Sequence, residues 1–168
     1  MPTIFRRNEL SFTMRESPIE AYRWMTTPRL GKTANSKSLN FDIRILGPGK
    51  FSFPYHAHRA SEELFMILAG EVTLRTPEGF QVLKKGDVVF FEDGPSGAHQ
   101  FYNHSKEDCE YLDIRAAHGI DIVDYPDTGK IALLPSFEMF DQQAKADYFK
   151  GEENIADRWP KNIVKGEK

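Results

Sequence analysis

Apolar and polar residues alternate along the middle of the chain in short runs, and turn residues separate the runs. FDIRIL, residues 41–46, sets Phe41, Ile43 and Ile45 against Asp42, Arg44 and Leu46, the period of a half-buried strand. Gly47-Pro48-Gly49 turns the chain into FSFPYHAH (51–58), a second strand whose Pro54 marks an edge or a bulge. After ASEE comes LFMILAG (64–70), an unbroken apolar run that reads as a strand buried on both faces. EVTLR and FQVLK flank Thr76-Pro77-Glu78-Gly79, a hairpin with turn chemistry at its tip. The KKGD turn, VVFFE, the GPSG loop, AHQFYN and CEYLDIR complete about eight short strands. That spacing predicts an all-β sandwich or barrel over residues 41–115.

The flanks lack this rhythm. Residues 1–40 read as an N-terminal arm, because Pro18 and Pro28 break any long helix. Tyr22, Trp24 and Met25 are its expected anchors, on the outside of the barrel or across the edge strand of a second subunit. LGKTANSKS reads as a loop. Residues 116–168 form a C-terminal extension. It holds an apolar run (Ile120, Ile122, Val123), a turn at Pro126-Asp127 and an expected helix over 136–150. In that helix Ser136 would cap, Phe137, Phe140, Ala144 and Tyr148 would form one stripe, and Gly151 would stop it. The charged residues beyond Trp159 should fray.

Composition narrows the class. A chain of 168 residues suggests one domain that needs no covalent staples. A net charge of −3 leaves no basic footprint, so no nucleic-acid partner is expected. The single cysteine, Cys109, excludes an intrachain disulfide and fits a reducing cytosol. The first residues lack an apolar core of signal-peptide length, and no stretch approaches a membrane span. The expectation is a cytoplasmic protein with no membrane partner.

The candidate chemistry lies in the second predicted strand. Residues two apart on a strand share a face, so His56 and His58 would project side by side. Glu62 and Glu63 follow at once, and His99 and Asn103 follow the second apolar run. An isolated H-x-H pair is often structural. Here it sits in G-x6-H-x-H-x4-E-x6-G (Gly49 to Gly70), followed by G-x12-H-x3-N (Gly86 to Asn103). These two patterns resemble the signature motifs of the cupin superfamily, over about residues 38–116. The first carries one extra residue between its glycine and first histidine. The second departs further: Glu92 stands where the family has proline, and the loop to His99 is two residues longer.

The resemblance implies a small single-domain cupin, a double-stranded β-helix or jelly-roll barrel. It implies metal ligands at His56, His58, Glu63 and His99, with Glu62 the competitor for the carboxylate. Three imidazoles and a carboxylate suit one divalent transition metal: Mn, Fe, Co, Ni, Cu or Zn. Dioxygenase- or isomerase-type chemistry on a small organic molecule would follow, in a homodimer. The alternative is a non-catalytic metal or small-molecule binding or sensing module. Glu63 could also shuttle a proton.

Arg44, Phe65, Phe101 and Tyr111 are candidate pocket residues. Parity on the last motif strand puts His104 opposite His99, as an exposed or structural residue. His118 reads as structural, and Cys109 as a small buried hydrophobe. Gly94 and Gly97 can take positive φ, so the GPSG loop reads as a mobile rim beside the metal. Glu92 and Asp93 at its base would repel an anion unless Arg44 or Arg59 compensates. The expected ligand is therefore neutral or weakly polar, such as a sugar, phenol or enol, over a phosphorylated one.

Overall fold

The protein is described by a computed structural model covering residues 1–117, 119–160 and 163; His118 lies outside the described residues. The strands are β1 (Thr13–Arg15), β2 (Trp24–Thr26), β3 (Leu39–Leu46), β4 (Ala57–His58), β5 (Glu63–Ala69), β6 (Glu71–Thr76) and β7 (Gly79–Lys84). They continue with β8 (Val88–Phe91), β9 (Gln100–Tyr102), β10 (Cys109–Ala116), β11 (Asp121–Tyr125), β12 (Lys130–Leu134) and β13 (Glu138–Asp141). Among the described residues one short α-helix, α1 (Leu30–Thr33), breaks the series, in the LGKTANSKS segment expected to be a loop. A six-stranded sheet runs β1-β2-β3-β10-β5-β8, and it faces a three-stranded sheet β7-β6-β9 and a four-stranded sheet β13-β12-β11-β4. All described pairings are antiparallel. The architecture is the expected all-β jelly-roll barrel, the double-stranded β-helix. No helix among the described residues is long and apolar enough to cross a membrane.

The inward faces of the central strands change character from one end to the other. Leu46, Ile67, Phe65, Phe91, Phe101, Cys109 and Tyr111 join Val72, Leu74 and Trp24 in one apolar cluster. Towards the other end, the same faces of β3, β5 and β10 carry Arg44 and Asp42, Glu63, and Asp113 and Arg115. In β3 the apolar set faces out, under the arm, and Asp42, Arg44 and Leu46 face in; alternation located the strand, but not which side a polar interior would claim. The LFMILAG run is buried on one face only, with Met66 36% exposed. Of FSFPYHAH only Ala57 and His58 are strand, with isolated bridges at Phe51 and His56, because Pro54 interrupts the ladder.

The arm covers its own barrel. Met25 and Thr26 pair with Ile45 and Arg44, closing the β3 edge within one chain. Trp24 is buried edge-on against Phe53, at 4.8 Å between ring centres. Phe5 packs on the outward-facing Phe41 at 6.0 Å. Arg7 grips Glu110 in a two-pronged pair of 2.6 and 2.8 Å.

The helix expected over 136–150 does not form. Phe137, with φ of 60°, turns the chain, and β13 returns along β12 from Leu133↔Glu138 to Lys130↔Asp141. An apolar stripe makes a helix only where a core receives it, and Phe137, Phe140 and Tyr148 are all exposed. The 142–144 segment is a single tight turn capped by Asp141. The extension nevertheless reaches the histidines, since β11 pairs with β4 at Val123↔His58 and Asp124↔Ala57.

Candidate metal centre

His56 and His99 face each other across a two-bond bridge: the His56 N–H donates to the His99 carbonyl at 3.2 Å, and the reverse bond is 2.9 Å. His58 lies on β4 and Glu63 opens β5. One ligand atom from each of His56, His58 and Glu63 falls within a sphere in which no pair exceeds 4.8 Å. The Glu63 Oε1 is 3.5 Å from His58 Nε2, and its Oε2 is 3.2 Å from His99 Nε2. All four side chains are buried, whereas Glu62 is exposed, so the geometry selects Glu63.

Each imidazole is oriented from behind. Nδ1 of His56 donates to the Pro54 carbonyl at 2.9 Å, Nδ1 of His99 to the Gly97 carbonyl at 2.8 Å, and Nδ1 of His58 to Asp121 Oδ2 at 2.5 Å. With acceptors on all three Nδ1 atoms, the Nε2 lone pairs face the centre, the orientation that metal-binding histidines require. Among the described residues His99 Nε2 and Glu63 Oε2 have no hydrogen-bond partner, although both are buried. Burial and the neighbouring His99 push the His56 imidazole down to about 3. For Glu63, burial works to raise the carboxyl, but the three facing imidazoles, His99 first, outweigh it and leave the group below its ordinary range. Three imidazoles turned inward by their Nδ1 partners and a carboxylate held below its ordinary range form a donor set ready for a cation.

Residues 43–115 match the sequence profile of the Cupin_2 family, a cupin domain. The chain carries a cupin domain. No curated protein sequence matches it. A crystal structure of a proposed sugar phosphate isomerase from Acidithiobacillus ferrooxidans aligns over 83% of this chain and 90% of that one, with a TM-score of 0.74 and 23% identity. A sugar phosphate isomerase of the cupin superfamily from Silicibacter pomeroyi aligns over 88% and 98%, with a TM-score of 0.73 and 18% identity. A proposed oxalate decarboxylase from Thermotoga maritima aligns over 68% and 98%, with a TM-score of 0.57 and 22% identity. At these identities the likeness is one of fold.

The loop of this cupin domain that carries His99 is pinned, not loose. The Gly94 N–H, at φ of 84°, donates to the His58 carbonyl at 2.6 Å. A Cβ on Gly97 would lie 1.8 Å from the Glu92 carbonyl oxygen, so the loop closes on backbone where only glycine fits. Gly94 takes the positive φ that its sequence allows, and Gly97 does not. Phe91 stacks on the His99 ring at 3.7 Å and 16°. Glu92 and Asp93 are both exposed.

Phe65 and Phe101 lie beneath the cluster, Phe65 edge-on to His99 at 5.3 Å and to Phe101 at 5.4 Å. Arg44 and Tyr111 sit one layer further in, opposite each other on β3 and β10. His104 is away from the centre, with Nδ1 on Thr73 Oγ1 at 2.8 Å. Arg59 pairs with Asp124 on the outside. Cys109 is buried, and burial pushes its thiol up to about 12. Two surface hollows, of about 410 and 380 Å³, lie outside the barrel and touch none of the four candidate ligands.

Asp121 escaped the reading of the sequence. It accepts from His58, from the Ala60 N–H at 3.0 Å and from Arg115 Nη1 at 3.5 Å, and Arg115 Nε is 3.9 Å from Glu63. Burial tends to raise its carboxyl, and the bonds from His58, Ser61 and Ala60 overcome this and hold it low. No motif could flag a residue 63 positions from its partner. Asp121→Asn keeps the shape but weakens the acceptor that fixes the His58 tautomer. Metal affinity should fall about 10- to 100-fold, read by competitive chelator titration. An unchanged affinity would remove Asp121 from the site.

Acid should also act through His56. Below the ordinary imidazole value of 6.5 the unfolded chain takes up a proton that folded His56 refuses until about 3. Stability is therefore complete above that window and is lost as the pH falls through it, by up to about 1.4 kcal/mol per pH unit from this group. Asp113 pulls the other way, since burial holds its carboxyl above the usual range despite Arg44. The quantity to measure is therefore a difference. Metal-free wild type should lose stability relative to His56→Gln between pH 6.5 and pH 4 in urea denaturation, and a constant difference would show that His56 titrates normally.

Proposed function

We propose that His56, His58, Glu63 and His99 hold one divalent transition metal, and that the protein acts there on a small organic molecule by isomerase- or dioxygenase-type chemistry. The observation that carries this is the meeting of three outward-anchored imidazoles at a buried carboxylate, with Glu63 Oε2 and His99 Nε2 left without a hydrogen-bond partner among the described residues. Buried polar atoms are nearly always paired, so atoms left bare at one centre imply a bound group. A bound metal would supply Lewis-acid polarisation of a substrate oxygen.

The chain does the rest. The carbonyls of Pro54 and Gly97 and the carboxylate of Asp121 hold the imidazoles at one tautomer. Phe91 covers one face of His99 and keeps water from it. Arg115, 3.9 Å from Glu63 and 3.5 Å from Asp121, places a positive charge between the two carboxylates. A non-catalytic sensing module is the second reading, and it uses the same four residues without turnover. A cytoplasmic homodimer belongs to the same proposal; light scattering at micromolar concentration would test its mass against the 19.3 kDa chain.

The test is elemental analysis of protein purified without chelator, followed by reconstitution with Mn, Fe, Ni and Zn. About one metal per chain is expected. Failure of all four to bind at stoichiometric level would overturn the proposal.

A further inference from the structure

Four buried side-chain nitrogen and oxygen atoms among the described residues have no hydrogen-bond partner. Two, Glu63 Oε2 and His99 Nε2, belong to the candidate metal centre. The other two are Arg44 Nη1 and Tyr111 Oη. These residues lie directly opposite each other on β3 and β10, and Asp42 lies opposite Asp113 in the same ladder. One inner wall therefore carries Arg44, Tyr111, Asp42 and Asp113, and it continues through Arg115 to Glu63 on β5.

The pairing on this wall is incomplete in a specific way. Asp42 occupies one edge of the Arg44 guanidinium, with Nε at 2.7 Å and Nη2 at 3.3 Å. Nη1 lies 2.5 Å from Asp113 Oδ2, but off the line of its N–H bonds. Burial raises the Tyr111 hydroxyl pKa although the adjacent Arg44 guanidinium works to lower it, and Tyr111 Oη makes no hydrogen bond of good geometry. An apolar core would cost less than a polar wall with bare donors. The wall is not sealed, since the Arg44 and Arg115 side chains are 13% and 17% exposed.

The wall is one aromatic layer from the histidines. Phe53 lies under the Arg44 guanidinium at 4.5 Å and edge-on to His56 at 5.8 Å. Phe65 is 5.5 Å from Tyr111 and 5.3 Å from His99. We propose that Arg44 and Tyr111, with Asp113 beside them, take an uncharged hydroxyl or carbonyl oxygen of a polyhydroxylated small molecule whose other end lies at the histidine cluster. This rests on the small-molecule reading of the site above. A hydroxyl accepts from Tyr111 Oη or Arg44 Nη1 and donates to Asp113, which satisfies all three groups. A phosphate or carboxylate would instead bring negative charge beside Asp42, which already holds one edge of the Arg44 guanidinium. Glu92 and Asp93, both exposed, play no part.

The experiment uses full-length protein with metal content measured in every sample. Tyr111→Phe deletes a bare hydroxyl, so the ligand-free variant should melt at or above the wild-type temperature. A melting point several degrees lower would make that hydroxyl structural and overturn the proposal. The probes are D-fructose and D-xylose against their terminal phosphates, read by thermal shift on metal-loaded protein. The free sugars should raise the melting temperature. Tyr111→Phe and Arg44→Lys should each need about tenfold more sugar for the same shift, at unchanged metal content. Stronger shifts by the phosphates, no shift by either sugar, or variants that respond like wild type would each overturn it. Wild-type protein that takes up no metal, but whose sugar response still weakens in the variants, would strike the metal reading alone.

Discussion

Replacing His58 with alanine should abolish stoichiometric metal binding while the barrel stays folded. The substitution removes one of the four inward donors, so the loss should exceed the roughly 10- to 100-fold expected for an outer partner such as Asp121. The fold should survive, because the carboxylate left behind keeps the Ala60 N–H and the Arg115 guanidinium. His104→Ala is the control. That imidazole is partly exposed, bonds to Thr73 and lies near Glu71, away from the cluster. Isothermal titration with Mn²⁺ or Zn²⁺ reads both variants. Equal losses in the two would mean that the donor set is wrongly assigned.

Gly97→Ala should be among the most damaging single-methyl substitutions in the chain. The new Cβ would sit 1.8 Å from the Glu92 carbonyl oxygen, a backbone atom that cannot swing aside. Relief must come from moving the loop, and the loop holds the Gly97 carbonyl that orients His99. Overpacking of this kind costs about 3 kcal/mol, which at this chain length lowers the melting temperature by about 10 °C. Gly94→Ala separates clash from conformation. Gly94 has a φ of 84° and a ψ of −175°, a backbone region essentially reserved for glycine, but nothing lies within 4 Å of a Cβ, so its cost is backbone strain alone, about 2 kcal/mol. A calorimetric melt in which Gly97→Ala loses no more than Gly94→Ala would show that the loop yields easily. Metal affinity should fall with Gly97→Ala as well, because His99 loses its anchor.

Both experiments concern residues that were legible to different degrees in the chain itself. His56, His58, Glu63 and His99 stood out because a strand period of two and fixed motif spacings tie chemistry to local geometry. Gly70 stood at the end of the first motif; its φ of 73° is local, but the 2.3 Å that a Cβ there would leave to the Asp108 carbonyl oxygen is a contact made only by the folded chain. Gly97 was read for a positive φ it does not have; its role comes from Glu92, five positions back and folded against it. The packed GPSG turn replaces the expected mobile rim for the same reason.

Short-range order was written in the sequence. The strands from β5 to β10 lie where the short apolar runs between turn residues put them, although β5 buries one face where two were expected. The β6–β7 hairpin closes at Thr76↔Gly79 as its turn chemistry requires, with Gly79 at φ of 127°. These depend on neighbours within a few residues, where side-chain period and backbone sterics decide. Tertiary structure alone decided the rest. Whether a 136–150 stripe becomes a helix depends on a core to receive it, and the chain instead paired β13 with β12. Whether Phe41 or Asp42 points inward depends on what lines the barrel, which a period of two cannot state. Asp121 behind His58, and Tyr111 opposite Arg44, are contacts across strands far apart in the chain. Hydrogen bonds between distant strands leave no spacing in the sequence, so only the closed barrel could bring those partners together.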